Sequence, residues 1–200
     1  MGIRKRVNTP RLGTAVPQRG NRFSRWLSQF FLGLAGWKFE GNTPNLPRFV
    51  AILAPHTSNW DFVLFVLGFM ALGINMSWMG KHTLFRGPSG RLFLKLGGVP
   101  IDRRAPKGVV DQMVDEFARR RQFILGIAPE GTRSKVARWK TGFYHIAAGA
   151  GVPIVPVALD YGRREVRIGQ ELLPTGEADE DLARLRAFYA DVVAKNPHFA

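Results

Sequence analysis

Phe49-Val50-Ala51-Ile52-Leu53 runs through Ala54 into Pro55-His56-Thr57-Ser58-Asn59-Trp60-Asp61, and a second apolar stretch opens at Phe62. Five consecutive apolar residues closed by a proline read as a strand buried on both faces, and the apolar residues beyond Asp61 read as a helix packed against it. A histidine and a carboxylate separated by four residues therefore fall where a buried strand gives way to a helix. Imidazole has an ordinary pKa of about 6.5, so it can take a proton from an alcohol at neutral pH. A carboxylate on its other ring nitrogen fixes the tautomer and stabilises the imidazolium that forms. His56 is the candidate base and Asp61 its orienting acid. Taken alone, such a pair is more often a loop residue beside a helix-terminus acid.

Outward from this junction the chain alternates. Strands are expected at 48–54, 75–79, 123–128, 154–160 and 165–168, and helices at 60–72, 89–96, 109–121, 142–150 and 179–195. Such alternation implies an α/β domain with a mixed, largely parallel sheet covered by helices, and it puts functional residues in loops at strand ends. At 200 residues and 46% hydrophobic content the chain suits one core; two domains would each be undersized. The expected organisation is a flexible basic tail over 1–21 and one domain over 22–200 that includes an N-terminal amphipathic helix over 22–37.

Three further blocks follow the first in order: Gly98-Val99-Pro100-Ile101-Asp102-Arg103, then Pro129-Glu130-Gly131-Thr132-Arg133-Ser134, then Val152-Pro153-Ile154-Val155-Pro156-Val157. In order and approximate spacing the four blocks resemble those of the glycerolphosphate and lysophospholipid acyltransferases, over roughly residues 45–170. Four ordered blocks turn the odds for His56 and Asp61 toward catalysis. One position differs: many members carry Asn before the motif histidine, where this chain has Pro55.

The resemblance implies transfer of a fatty acyl group from acyl-CoA or acyl-ACP to the hydroxyl of a lysophospholipid such as lysophosphatidic acid, in phospholipid biosynthesis. It assigns Arg103 to the acceptor's phosphate, a role that suits a planar guanidinium able to donate two parallel hydrogen bonds. It assigns Glu130, Gly131 and Arg133 to the glycerol-phosphate portion, and Lys140 resembles a basic position downstream of that block. The fourth block is apolar, and the resemblance gives it a structural or acyl-donor role. Arg104 reads as a solvated basic turn, while Lys81 and Arg86 add positive potential between the first two blocks. Acylation of another lyso-lipid, such as a lyso-aminolipid, remains open.

Other chemistries find less support. The chain has no cysteine, which excludes disulfides, thiolate nucleophiles and Cys-ligated zinc, and no His/Asp/Glu cluster has metal-ligand spacing. It also lacks a Gly-x-Ser-x-Gly elbow and a Gly-x-x-x-x-Gly-Lys-Ser/Thr phosphate loop. No metal or cofactor is expected beyond the acyl thioester as co-substrate.

The net charge is +14, and no Asp or Glu precedes Glu40. Arg4, Lys5, Arg6, Arg11, Arg19, Arg22 and Arg25 make that stretch a polyanion seeker, with about 1 kcal/mol gained per basic residue near an anionic leaflet. Phe23, Trp26, Leu27, Phe30, Phe31 and Leu34 recur at helical spacing beside these arginines, a pattern equally suited to lying in a membrane interface or to packing on the domain. The apolar run from Phe62 to Ile74 is too short to span a bilayer, which takes about 20 residues, and reads as a buried helix. The expected setting is cytoplasmic, peripheral on the inner face of the membrane. A non-enzymatic nucleic-acid-binding protein is the rival from another class, motivated by a pI near 11.2 but accompanied by no nucleic-acid-binding signature.

Overall fold

A computed structural model describes residues 6–102, 108–132, 136 and 138–199. Seven strands form one sheet in the order β1-β7-β6-β2-β5-β3-β4. These are β1 (Lys38–Glu40), β2 (Arg48–Ala54), β3 (Met76–Lys81), β4 (Gly98–Ile101), β5 (Phe123–Ile127), β6 (Ile154–Asp160) and β7 (Glu165–Ile168). The strands β6, β2, β5, β3 and β4 run parallel; β7 pairs antiparallel with β6, and β1 joins parallel to β7. This is the mixed, largely parallel sheet expected from the alternation.

The uninterrupted apolar run of β2 is explained by burial on both faces. Phe49 and Ala51 enter one core with Leu32 of α1 (Arg22–Leu34) and Phe65, Ala71 and Leu72 of α2 (Asn59–Leu72). Val50 and Ile52 enter the other. That second core is closed by Met113 and Phe117 of α4 (Val109–Arg119), Phe143 and Ile146 of α5 (Gly142–Ala150), and Leu182 and Leu185 of α6 (Ala178–Tyr189). The short α3 (Pro88–Lys95) sits between β3 and β4. Burial of β2 and β6 at the sheet centre makes the C-terminal ends of the parallel strands a rigid edge from which loops can be aimed.

β6 contains Pro156, which cannot donate to a ladder and would ordinarily be excluded from a central strand. Here the Tyr189 hydroxyl reaches between β2 and β6, accepting from the Val157 N–H (3.1 Å) and donating to the Ile52 carbonyl (2.9 Å). Burial pushes this hydroxyl's pKa well above the ordinary tyrosine value.

Several expectations are revised. β1 and β4 were not anticipated: β1 has three residues, and β4 carries the second motif block, whose Gly-Gly and proline read as a turn. The last helix ends at Tyr189 rather than 195, and the chain returns through 190–196 to the start of α2, where Asn196 bonds both the Thr57 carbonyl (3.0 Å) and the Thr57 hydroxyl (3.2 Å).

Residues 6–21, read as most of a flexible tail, are seated on the domain. Val7 and Val16 are buried in the α1/α2 core, Arg19 N–H donates to the Gly73 carbonyl (2.8 Å), and Asn75 N–H donates to the Pro17 carbonyl (2.8 Å). Gly73 accepts this role because it ends α2 in a left-handed conformation (φ +78°) that side chains disfavour.

α1 docks through Leu32 together with polar groups, while most of its apolar side chains face out. Ser28 is buried, and the Gln29 amide donates to the Ala71 carbonyl of α2 (3.0 Å). Phe23 (67% exposed), Trp26 (41%), Phe31 (48%) and Leu34 (70%) face out. Trp60, Phe62, Val63 and Met70 of α2 are also exposed, so the run read as a buried helix has one solvent-facing apolar side. Among the described residues, no helix is long and apolar enough to cross a membrane.

Candidate active site

The first motif forms the loop between β2 and α2, entered through a cis Ala54–Pro55 peptide. Ser58 is the N-cap of α2 and Asp61 its N3 residue, so the pair forms a capping box. The Asp61 carboxylate takes more than a cap requires. Its Oδ2 accepts from the N–H groups of Thr57 and Ser58, both at 2.7 Å, and lies 3.5 Å from Nδ1 of His56. Its Oδ1 accepts a 2.6 Å bond from the Tyr161 hydroxyl. The residue is completely buried. Burial alone would raise its pKa, but the bonds from His56, Tyr161, Ser58 and Thr57 outweigh that and hold it below the ordinary carboxylate value. A buried anion kept charged by its donors thus stands behind a partly exposed imidazole.

With Nδ1 turned to Asp61, Nε2 is the ring nitrogen left for a reactant. His56 also lines an apolar cavity of about 420 Å³. The cavity runs between α2, through Phe65, Val66, Phe69 and Met70, and the sheet, through Leu53, Met76, Trp78 and Gly126. Arg19 and Gly20 of the N-terminal segment also line it.

The third block leaves the end of β5, next to β2 in the sheet, and so arrives beside the first. Glu130 Oε1 accepts from the backbone N–H of His56 (3.3 Å), while its Oε2 is buried with no hydrogen-bond partner among the described residues. Burial raises the Glu130 pKa, partly offset by its own backbone N–H and that of His56. Gly131 is left-handed (φ +63°), and a Cβ there would sit 2.9 Å from Nζ of Lys140. That lysine is tied to the block by its backbone N–H, which donates to the Pro129 carbonyl (2.9 Å).

His56, Asp61, Glu130, Gly131 and Lys140 are therefore gathered at one edge of the sheet. The second block ends on the same edge, since β4 is parallel to β3. Arg103 and Arg133, also singled out from the sequence, lie outside the described residues, as does Arg104. The fourth block is a core strand, with every residue of β6 buried. His82, scattered in sequence, comes to 3.8 Å from Asp102 at the ends of β3 and β4.

Tyr161 escaped the sequence reading, although its place one residue beyond the β6 strand was a usable signal, because loop residues at strand ends carry function. Asn196 escaped too: a residue 135 positions from Asp61 leaves no local pattern that ties it to the Thr57 loop.

Known proteins resemble this chain in sequence and in fold. A 1-acyl-sn-glycerol-3-phosphate acyltransferase of Pseudomonas aeruginosa is 30% identical over 168 residues, covering 80% of this chain and 62% of that protein. The enzyme of the same name from Escherichia coli is 33% identical over 99 residues, 46% of this chain and 40% of that protein. The chain thus spans less than two thirds of the length of these relatives. The crystal structure of a 1-acyl-sn-glycerophosphate acyltransferase from Thermotoga maritima superposes with a TM-score of 0.56 at 18% identity, covering 86% of this chain and 81% of that one, which shows a shared fold. The acyltransferase family model matches residues 38–160, more than half of the sequence, and the chain belongs to that family.

Proposed function

We propose that the protein is a peripheral membrane O-acyltransferase that moves a fatty acyl group from acyl-CoA or acyl-ACP to the hydroxyl of lysophosphatidic acid, forming phosphatidic acid in phospholipid biosynthesis. The observation that carries this reading is His56: backed by a buried carboxylate, it also lines an apolar cavity of about 420 Å³. A base lining a space suited to a hydrocarbon chain fits transfer of that chain's carbonyl. The activities named for the relatives support the acceptor.

In the proposed reaction Nε2 of His56 removes the acceptor's hydroxyl proton as the oxygen attacks the thioester carbonyl. Asp61 steadies the imidazolium. The tetrahedral intermediate collapses by breaking the C–S bond, and the proton held on His56 passes to the departing thiolate. No acyl-enzyme forms, because the acceptor oxygen is itself the nucleophile. Arg103, which follows β4 in sequence, and Arg133, which follows Gly131, would hold the acceptor's phosphate with Lys140, while Glu130 and Gly131 shape its glycerol site. The co-substrate is the acyl thioester, and the reaction as written needs no metal or other cofactor.

The outward aromatic face of α1 beside Arg22 and Arg25 supports docking on an anionic membrane surface, at the inner face of the cytoplasmic membrane. Nucleic acid is disfavoured as a partner because such a face would meet water there.

The test is incubation of the purified protein with lysophosphatidic acid, a lyso-aminolipid and other lyso-lipids, each with acyl-CoA and acyl-ACP, followed by mass spectrometry of the products. Phosphatidic acid as the dominant product supports the reading. A dominant acylated aminolipid moves the acceptor assignment, and no acylated product from any pair overturns it.

A further inference from the structure

The carboxylate behind His56 is held from two sides, and one of the holders comes from the far end of the motif region. Tyr161 begins the turn after β6, which lies next to β2 in the sheet. Its backbone N–H donates to the Val193 carbonyl (2.9 Å) in the returning C-terminal segment, and its ring stands edge-on to buried Trp37 with centroids 5.1 Å apart. These contacts aim the hydroxyl at Oδ1 of Asp61, the oxygen not used by the backbone of the α2 cap. A capping box needs no such donor.

We propose that Tyr161 is a positioning residue for acyl transfer: its hydroxyl bond to Asp61 Oδ1 locks the carboxylate plane so that Oδ2 faces His56, and keeps that carboxylate charged when the imidazole takes a proton. The inference rests on the reading of His56 and Asp61 as base and orienting acid. Burial, and then the bond to Asp61, raise the Tyr161 pKa, so the hydroxyl keeps its proton and remains the donor across the working range. Among the described residues, the titratable groups that bear on Asp61 come from three elements. His56 faces it from the same loop, Tyr161 from the turn after β6, and Glu130 interacts with it electrostatically from the end of β5. The neighbouring Asp160 is separately engaged, paired with Arg163 at 2.8 Å.

Removing the hydroxyl leaves Asp61 more basic. It then either takes up a proton itself or holds one more tightly on His56, and both routes remove the free base at a higher pH. Tyr161→Phe should therefore move the acid limb of the kcat/KM profile upward in pH. It should also lower kcat by about tenfold to a hundredfold, the worth of a bond to a charged group, with KM for the acceptor little changed. Phe keeps the ring contact with Trp37, so the fold is expected to survive. Should it not, 3-fluorotyrosine at position 161 tests the same bond without removing it: a more acidic phenol donates more strongly, and the acid limb should move downward.

The experiment is the pH dependence of kcat/KM, measured for the wild type and both variants with lysophosphatidic acid and an acyl thioester, beside Asp61→Asn. Opposite displacements of the limb by Phe and fluorotyrosine support the proposal. An acid limb unmoved by both, with Asp61→Asn slowed by more than about tenfold, overturns it and leaves the dyad standing. Full activity of Asp61→Asn overturns the dyad and this inference with it.

Discussion

Replacing Asp61 with Asn tests the dyad in a way the geometry makes specific. Two backbone N–H groups, from Thr57 and Ser58, point at Oδ2 at 2.7 Å. An amide placed there must turn its oxygen to them, because an NH₂ would oppose both donors. The NH₂ then falls at the Oδ1 position, where the Tyr161 hydroxyl can rotate to accept from it. The amide oxygen still faces Nδ1 of His56 and preserves the ring's tautomer, so what the variant loses is charge. At the 3.5 Å separation of Oδ2 and Nδ1, and an effective dielectric constant of about 20, that charge is worth about 5 kcal/mol to the imidazolium. Some 24% of the His56 side chain is exposed, and solvent trims this figure. The expected loss in kcat is about 10² to 10³-fold, with thermal unfolding close to that of the wild type. The assay is thiol release from an acyl thioester, with lipid product confirmed by mass spectrometry. Activity within tenfold of the wild type would refute Asp61 as the orienting acid. A loss beyond about 10⁴-fold in a folded variant would mean that the ring is held wrongly, and the argument from the two N–H groups would fail.

Glu130→Gln should stabilise the fold at pH 8 by about 1 kcal/mol, since the wild type must there ionise a buried carboxylate whose Oε2 lacks a partner among the described residues. Its raised pKa means the Glu130 contribution is present below the ordinary value of 4.5 and is lost as pH rises, so the gain should shrink toward pH 4.5; a variant less stable than wild type at pH 8 contradicts this. Tyr189→Phe removes the bridge between Val157 and Ile52 and should cost about 1–3 kcal/mol in urea unfolding. An unchanged midpoint would show that the two strands close on each other without it. Trp26→Ser with Phe31→Ser should weaken sedimentation with anionic liposomes even at low salt while leaving unfolding unchanged, because both side chains already face solvent. Unaltered sedimentation would remove α1 from the membrane contact.

Much of the fold was legible because burial on two faces writes itself into sequence as unbroken apolar runs. β2 and β6 have the boundaries that their apolar content implies, and β7 and α5 also begin and end where expected. β4 was hidden because Gly98 and Pro100 are turn formers, and pairing with β3 overrides their local preference. That α1 docks through Ser28, Gln29 and Leu32 was also illegible: helical periodicity reports that an apolar stripe exists, while the partner that decides where it points is α2. At the site, His56 and Asp61 drew notice by their place between a strand and a helix, and Glu130 and Gly131 through the family resemblance; the sheet order then brings the loops that carry them together. Tyr161 and Asn196 could not, since what joins them to Asp61 and Thr57 is the neighbouring of β6 with β2 and the return of the C-terminal segment.

The most direct test of the central claim is the turnover of folded His56→Ala with lysophosphatidic acid and an acyl thioester, compared with wild type at matched protein concentration. A side chain in the loop after β2, outside both apolar cores, can be removed with little cost to the fold. Loss of the general base should lower kcat by about 10² to 10⁴-fold, with the circular dichroism spectrum and unfolding midpoint retained. Turnover equal to wild type in a folded His56→Ala protein would contradict the account.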